Sequence, residues 1–159
     1  MKYASLLSLL ILALGLVAVP AYSDTVTVSA TVSPYISVTF NYNAVDFGTV
    51  TVGSTDNHPT PDYTTGVYNV SIDTNTNYTV SAYESGDFTS NGLTLDFAVS
   101  SNPTVDGTFY TLGTSSQTVY TSSLTETFEG TEYHQYLLDV GDIPTGSYST
   151  TVYITYSAA

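Results

Sequence analysis
The chain has 159 residues, with 14 acidic side chains against a single Lys and no Cys or Trp, giving a formal charge of −13 at neutral pH. The one cation, Lys2, falls in a leader expected to be removed; the rest has no Lys or Arg to neutralise phosphates, which excludes nucleic-acid binding, a polybasic membrane patch and Lys-dependent covalent chemistry. Without Cys there is no disulfide, thiolate metal site or Cys nucleophile, whereas 15 Tyr and abundant Thr and Val are the composition of β-strands.

The first element is a secretory signal peptide over residues 1–23. Met1–Lys2 is a minimal positive start, Leu6 to Val19 is an unbroken apolar run, and Pro20 ends it before small-residue cleavage frames after Ala21 or Ser23. The run is short for a span of roughly 20 residues, so no membrane segment is expected once the leader is gone. Cutting before Asp24 leaves 159 − 23 = 136 residues, enough for one domain with a packed core.

From Asp24 onward, period-2 alternation predicts strands. Val26, Val28, Ala30 and Val32 alternate with Thr25, Thr27, Ser29 and Thr31, and after Pro34 the phase resumes at Ile36, Val38 and Phe40. Pro cannot donate to a ladder, so Ser33-Pro34 separates two strands. Val45 and Phe47 are followed by Val50 and Val52 in the opposite phase, which predicts a β-bulge at Gly48. Residues 53–65 read as a polar loop. Strands are then predicted around Tyr68–Ile72, Tyr78–Ala82, Leu93–Val99, Thr118–Thr121, Thr125–Phe128, Gln135–Val140 and Tyr148–Tyr156. Short strands with regular turn punctuation imply an all-β fold, a single β-sandwich of jelly-roll or Ig-like type.

Enzyme signals are scarce. His58 and His134 lack metal-ligand spacing, no nucleophile-elbow, dinucleotide or P-loop motif occurs, and the acidic residues are scattered, so the chain is read as a non-enzyme. Asn69-Val70-Ser71 and Asn77-Tyr78-Thr79 match the N-glycosylation acceptor pattern. Asp73, Asn75 and Asn77, with Glu84 eleven positions after Asp73, follow the ligand order of a calcium loop, though Tyr78 stands where such a loop needs Gly. The same stretch also reads as an Asx-turn hairpin; no other cofactor is expected. A uniformly negative surface makes copies repel at neutral pH, and the repulsion fades as the pH falls towards about 4, so the surface suits acidic surroundings, bound cations or glycans.

The segment 24–33, apolar on one face and set off by Pro34, has two readings: a first strand of its own sandwich, or a donor strand that completes a neighbour's sheet. The runs SATVSPYISVTF, VDFGTVTVGSTDN, VSIDTNTNYTVSA and IPTGSYSTTVYITYSAA resemble archaeal secreted filament subunits of the bundling-pilus and thread type, similar in turn to the bacterial biofilm matrix fibre protein TasA. That resemblance implies a sandwich over 34–159 that joins identical subunits head to tail, forming extracellular fibres for cell–cell contact or biofilm. It makes Val26, Val28, Ala30 and Val32 the donor residues and Pro34 the hinge, and sets Tyr148 to Tyr156 along the acceptor edge or core. The alternative class is a monomeric exported sandwich module that binds glycan or a surface-layer partner, with Tyr-rich strands as aromatic platforms.

Overall fold
The computed structural model describes residues 27–105 and 107–159; the expected leader, its cleavage frames and Val26 lie outside the described residues. The chain divides into two units, Met1–Val32 and Ser33–Ala159. In the first, Thr27–Val32 forms no strand, and Val28 and Val32 are 88% and 79% exposed. The strand expected over 24–33 is therefore not formed at its described residues.

The second unit is an all-β sandwich. Its strands are β1 (Ile36–Phe40), β2 (Asn69–Thr74), β3 (Tyr78–Glu84), β4 (Leu93–Ser100), β5 (Tyr110–Thr111), β6 (Gln117–Thr121), β7 (Phe128–Val140) and β8 (Val152–Ala158), with one short helix, α1 (Asp87–Ser90). A five-stranded sheet runs in the order β1-β2-β7-β4-β5 and a three-stranded sheet in the order β6-β3-β8, every pairing antiparallel. Alternation sets the inner faces: Val70 and Ile72 on β2, Tyr78, Val80 and Ala82 on β3, Leu93, Leu95, Phe97 and Val99 on β4, and Tyr136, Leu138 and Val140 on β7 are all buried. Burying each large side chain is worth roughly 1.5–3 kcal/mol, which holds two sheets together without a disulfide.

β7 is twice the length expected from its alternating part. Its first half pairs β2 from Phe128 to Tyr133, and its second half pairs β4 from Tyr133 to Val140. Two expectations fail nearby. Residues 123–127 form no strand, and neither do residues 41–52, where Gly48 marks a turn and not a bulge. Gly48 has a φ of +61°, and its N–H donates to Asp46 Oδ1 at 2.8 Å, so Asp46 closes an Asx-type turn that ends any extended pairing. The last strand also starts late, at Val152, leaving Tyr148 and Thr150 in irregular backbone.

Candidate functional site
Both late departures from strand structure open the same feature. The irregular segments 42–50 and 146–151, with the start of β8, wall a cleft of about 930 Å³. Its floor is the core itself: Phe88, Leu93, Leu95, Tyr136 and Leu138. The walls are mixed: half-buried Val45, Phe47, Val50, Tyr148, Val152 and Ile154 alternate with polar residues such as Asn43, Asp46, Thr49, Ser147 and Ser149. Among the described residues β8 has one strand neighbour, β3, so its other edge presents unpaired main-chain groups beside this cleft. The wall 146–154 is nine residues long, about 30 Å if extended. The cleft thus reaches the unpaired edge of β8 at residues 152–154.

The groove is braced by two buried acids without a cationic partner. At one end, Glu84 accepts hydrogen bonds from Phe88 N, Thr89 N, Thr89 Oγ1 and Thr150 Oγ1, tying α1 and the groove wall to β3. Burial raises its pKa, but these donors outweigh burial and hold the carboxyl below its ordinary range. Glu132 on β7 accepts from Tyr78 Oη at 2.5 Å on β3 and from Tyr156 Oη at 3.2 Å on β8, joining the two sheets. Here burial dominates over the tyrosine donors, and the pKa is raised.

From Glu132 a chain of polar contacts runs to the groove. Tyr156 Oη meets His134 Nε2 at 2.8 Å, His134 Nδ1 meets Tyr42 Oη, and Tyr42 Oη meets Tyr136 Oη at 2.6 Å. With Glu132 ionised, the proton order is forced. Tyr156 donates to Glu132, so it accepts from His134 Nε2–H; Nδ1 then accepts from Tyr42, which accepts from Tyr136. Burial keeps His134 neutral, its pKa lowered to about 3. Every buried side-chain nitrogen and oxygen among the described residues has a partner. The chain fixes Tyr42, and with it the start of the wall 42–50, against both sheets.

The sequence-predicted residues fall in three places. Pro34 leaves the sandwich at a clamp: Asn75 Nδ2 donates to Ser33 O, Tyr35 N donates to Asn75 Oδ1, Thr74 Oγ1 donates to Tyr35 O, and Tyr35 Oη donates to Asp73 Oδ1. The calcium assignment is corrected by the same contacts. Asp73 and Asn75 hold the chain around Pro34, Asn77 Oδ1 accepts from Leu124 N, and Glu84 sits at the far end of β3, roughly 20 Å along the strand. Asp73 lies on β2, Asn75 and Asn77 in the turn and Glu84 at the end of β3, so the four residues share no site. Among the described residues no three His, Asp or Glu gather as a metal site. Of the sequon residues, Asn69 is half-buried with Nδ2 donating to Gly66 O at 2.8 Å, while Asn77 is exposed at the β2–β3 turn. Val28, Ala30 and Val32 are exposed, as stated.

Asp73 also lies directly opposite Glu129 across the β2–β7 ladder, both exposed. Like charges in that register destabilise. Replacing Glu129 by Lys is expected to raise stability by about 0.2–1 kcal/mol in urea titrations at low salt, with the gain shrinking as salt is added.

Sequence reasoning missed the groove walls and the buried acids. Asn41, Asn43, Asp46 and Gly48 interrupt the alternation near Val45 and Phe47, and these interruptions were the available signal for a strap in place of a strand. Glu132 and His134 stand in phase with Tyr136, Leu138 and Val140, so two polar residues on the apolar phase announced a buried network.

Fold and site together define a class: an antiparallel two-sheet sandwich whose apolar interior opens along one edge strand. No protein-family profile, curated protein or solved structure matches the chain.

Proposed function
We propose that this chain is the structural subunit of an extracellular filament, assembled when residues 24–33 of one copy fill the groove beside β8 of the next. The observation that carries the reading is the groove, floored by Leu93, Leu95 and Leu138 and open at the unpaired edge of β8 over residues 152–154. The proposed occupant matches it. Ten extended residues reach about 33 Å, and once extended Val28, Ala30 and Val32 would form one apolar row; all three are exposed on their own chain. Inserted, they would add main-chain hydrogen bonds to β8 and cover its half-buried side chains.

The geometry of exit favours a neighbour as the acceptor. The chain leaves at the Asn75 clamp, next to the Tyr78–Ala158 end of the β3–β8 ladder, while the groove lies at its Glu84–Val152 end. Exit and groove at opposite ends make a head-to-tail contact, which does not close and so propagates as a fibre. Secretion through the leader 1–23, and the resemblance to archaeal bundling-pilus and TasA-type fibre subunits, fit the same role in cell–cell contact or biofilm.

The test removes the occupant and restores it. The chain lacking residues 24–33 should remain a soluble monomer, and a synthetic peptide of those residues should raise its thermal midpoint by several degrees at a hundredfold excess over its dissociation constant. A permuted peptide without the apolar row should not. Fibres from the truncated chain, or a full-length monomer with Val28 packed in its own sandwich, would overturn the reading.

A further inference from the structure
Tyr83 on β3 and Tyr153 on β8 stand directly opposite each other in the ladder, on the face of the three-stranded sheet that points away from the core. Their rings stack, with centroids 4.7 Å apart and planes 15° from parallel. Tyr153 is 46% exposed and Tyr83 half-buried. The next residues on this face are Ser81 and Thr155, small and polar, which leave the pair open to solvent.

No other tyrosine contact among the described residues combines these features. Tyr42, Tyr68 and Tyr136 meet edge to face inside the core. Tyr78 and Tyr156 are tilted and committed to Glu132. The chain has no Cys, and its one Lys is in the leader. Disulfide and Lys isopeptide cross-links are therefore unavailable after leader removal, and phenol coupling is a route to a strong covalent link that remains.

We propose that Tyr83 and Tyr153 are a site of oxidative coupling, where a haem-peroxidase-type oxidant driven by peroxide joins the rings into a dityrosine that staples β3 to β8. Each phenol loses one electron and its hydroxyl proton, giving two phenoxyl radicals with spin on the ring carbons ortho to oxygen. A carbon–carbon bond forms between one such carbon on each ring. The hydrogens on the joined carbons then move through solvent to the phenol oxygens, restoring both aromatic rings. Two tyrosines and one hydrogen peroxide give one dityrosine and two waters. Stacking supplies the pairing that free radicals would otherwise find by diffusion, the same advantage that favours any pre-oriented reaction.

The staple would close a loop of 153 − 83 = 70 positions, so the thermal midpoint should rise by on the order of 10 °C. The test treats the purified, dilute chain with horseradish peroxidase and hydrogen peroxide, then digests it at acidic residues, since there is no basic site for trypsin beyond the leader. The expected product is a monomer short of two hydrogens, with the Tyr83 peptide joined to the Tyr153 peptide. Tyr153→Phe should abolish that link, and Tyr35→Phe, at another exposed tyrosine, should leave it. Phe keeps the ring stack, and an unchanged midpoint before oxidation checks that the variant folds; the wild-type peptide map stands without it. Dityrosine formed mainly between molecules or at other tyrosines would overturn the proposal. So would an unreacted Tyr83–Tyr153 pair in a chain whose Tyr110 is oxidised.

Discussion

Replacing Val28 by Asp should reduce fibre assembly at least a hundredfold while leaving the monomer as stable as before. The two halves of that expectation come from different places. On its own chain Val28 is 88% exposed, and substitutions at such positions usually change stability by less than about 0.5 kcal/mol. In the proposed contact the same side chain enters the groove, whose floor includes Leu95 and Leu138. Burying a carboxylate there without a cation costs several kcal/mol, and about 2.7 kcal/mol already corresponds to a hundredfold in affinity. Beyond Lys2 the chain offers no Lys or Arg to compensate. Ser29→Asp is the matched control, because period-2 geometry turns position 29 away from the groove. Sedimentation of the monomer and electron microscopy of assembled material read the two halves separately. Normal fibres from the Val28 variant, or equal loss from both variants, would contradict the donor assignment.

The sandwich was legible because most of its strands are amphipathic in the simplest way. Val70 and Ile72, Tyr78 to Ala82, and Leu93 to Phe97 alternate without interruption, and each became a strand with that face inward. The groove was less legible because it is made of residues that carry strand composition but lack strand partners. Val45, Phe47 and Val50 have the hydrophobicity of a strand, yet the Asp46–Gly48 turn spends their backbone locally. Tyr148 and Thr150 continue the alternation of β8, yet pairing with β3 starts only at Val152 opposite Glu84. Composition records what a segment could bury; it does not record whether its own chain supplies the covering strand. The misassigned calcium ligands show the converse. Asp73 and Glu84 sit at ligand spacing in sequence, but β3 fills the second half of that interval and carries Glu84 away from the β2–β3 turn, whereas a loop would have folded them together.

Acidification should weaken this fold through His134, against the trend set by the surface. The imidazole is packed against the rings of Phe97, Tyr42 and Tyr156 and stays neutral in the folded chain until about pH 3. In the unfolded chain it takes up a proton near pH 6.5. Between those values the unfolded state binds one more proton, so this contribution is complete above about 6.5 and declines as the pH falls, by about 1.4 kcal/mol per unit. By pH 4 the loss is roughly 3 kcal/mol. Glu84 acts in the same direction at lower pH: its carboxyl is held below the ordinary range, so its contribution is present above the unfolded value and lost as the pH drops through the folded one. Glu132 opposes both. Its raised pKa makes its contribution complete below the unfolded value and lost as the pH rises through the folded one. Asp62 acts with Glu84: burial raises its carboxyl, but the Thr64 donors and His58 outweigh that and hold it below the ordinary range. The general self-repulsion of a chain with a formal charge of −13 eases in acid. Changing His134 to Gln removes the imidazole term and leaves donors and acceptors for Tyr42 and Tyr156. The variant should be less stable at pH 7, yet its urea midpoint should hold or rise from pH 6.5 to 4, where the parent chain's falls. Parallel curves for the two chains would mean that the buried imidazole is protonated inside the sandwich, and that the proton order from Tyr136 to Glu132 is not the one its geometry dictates.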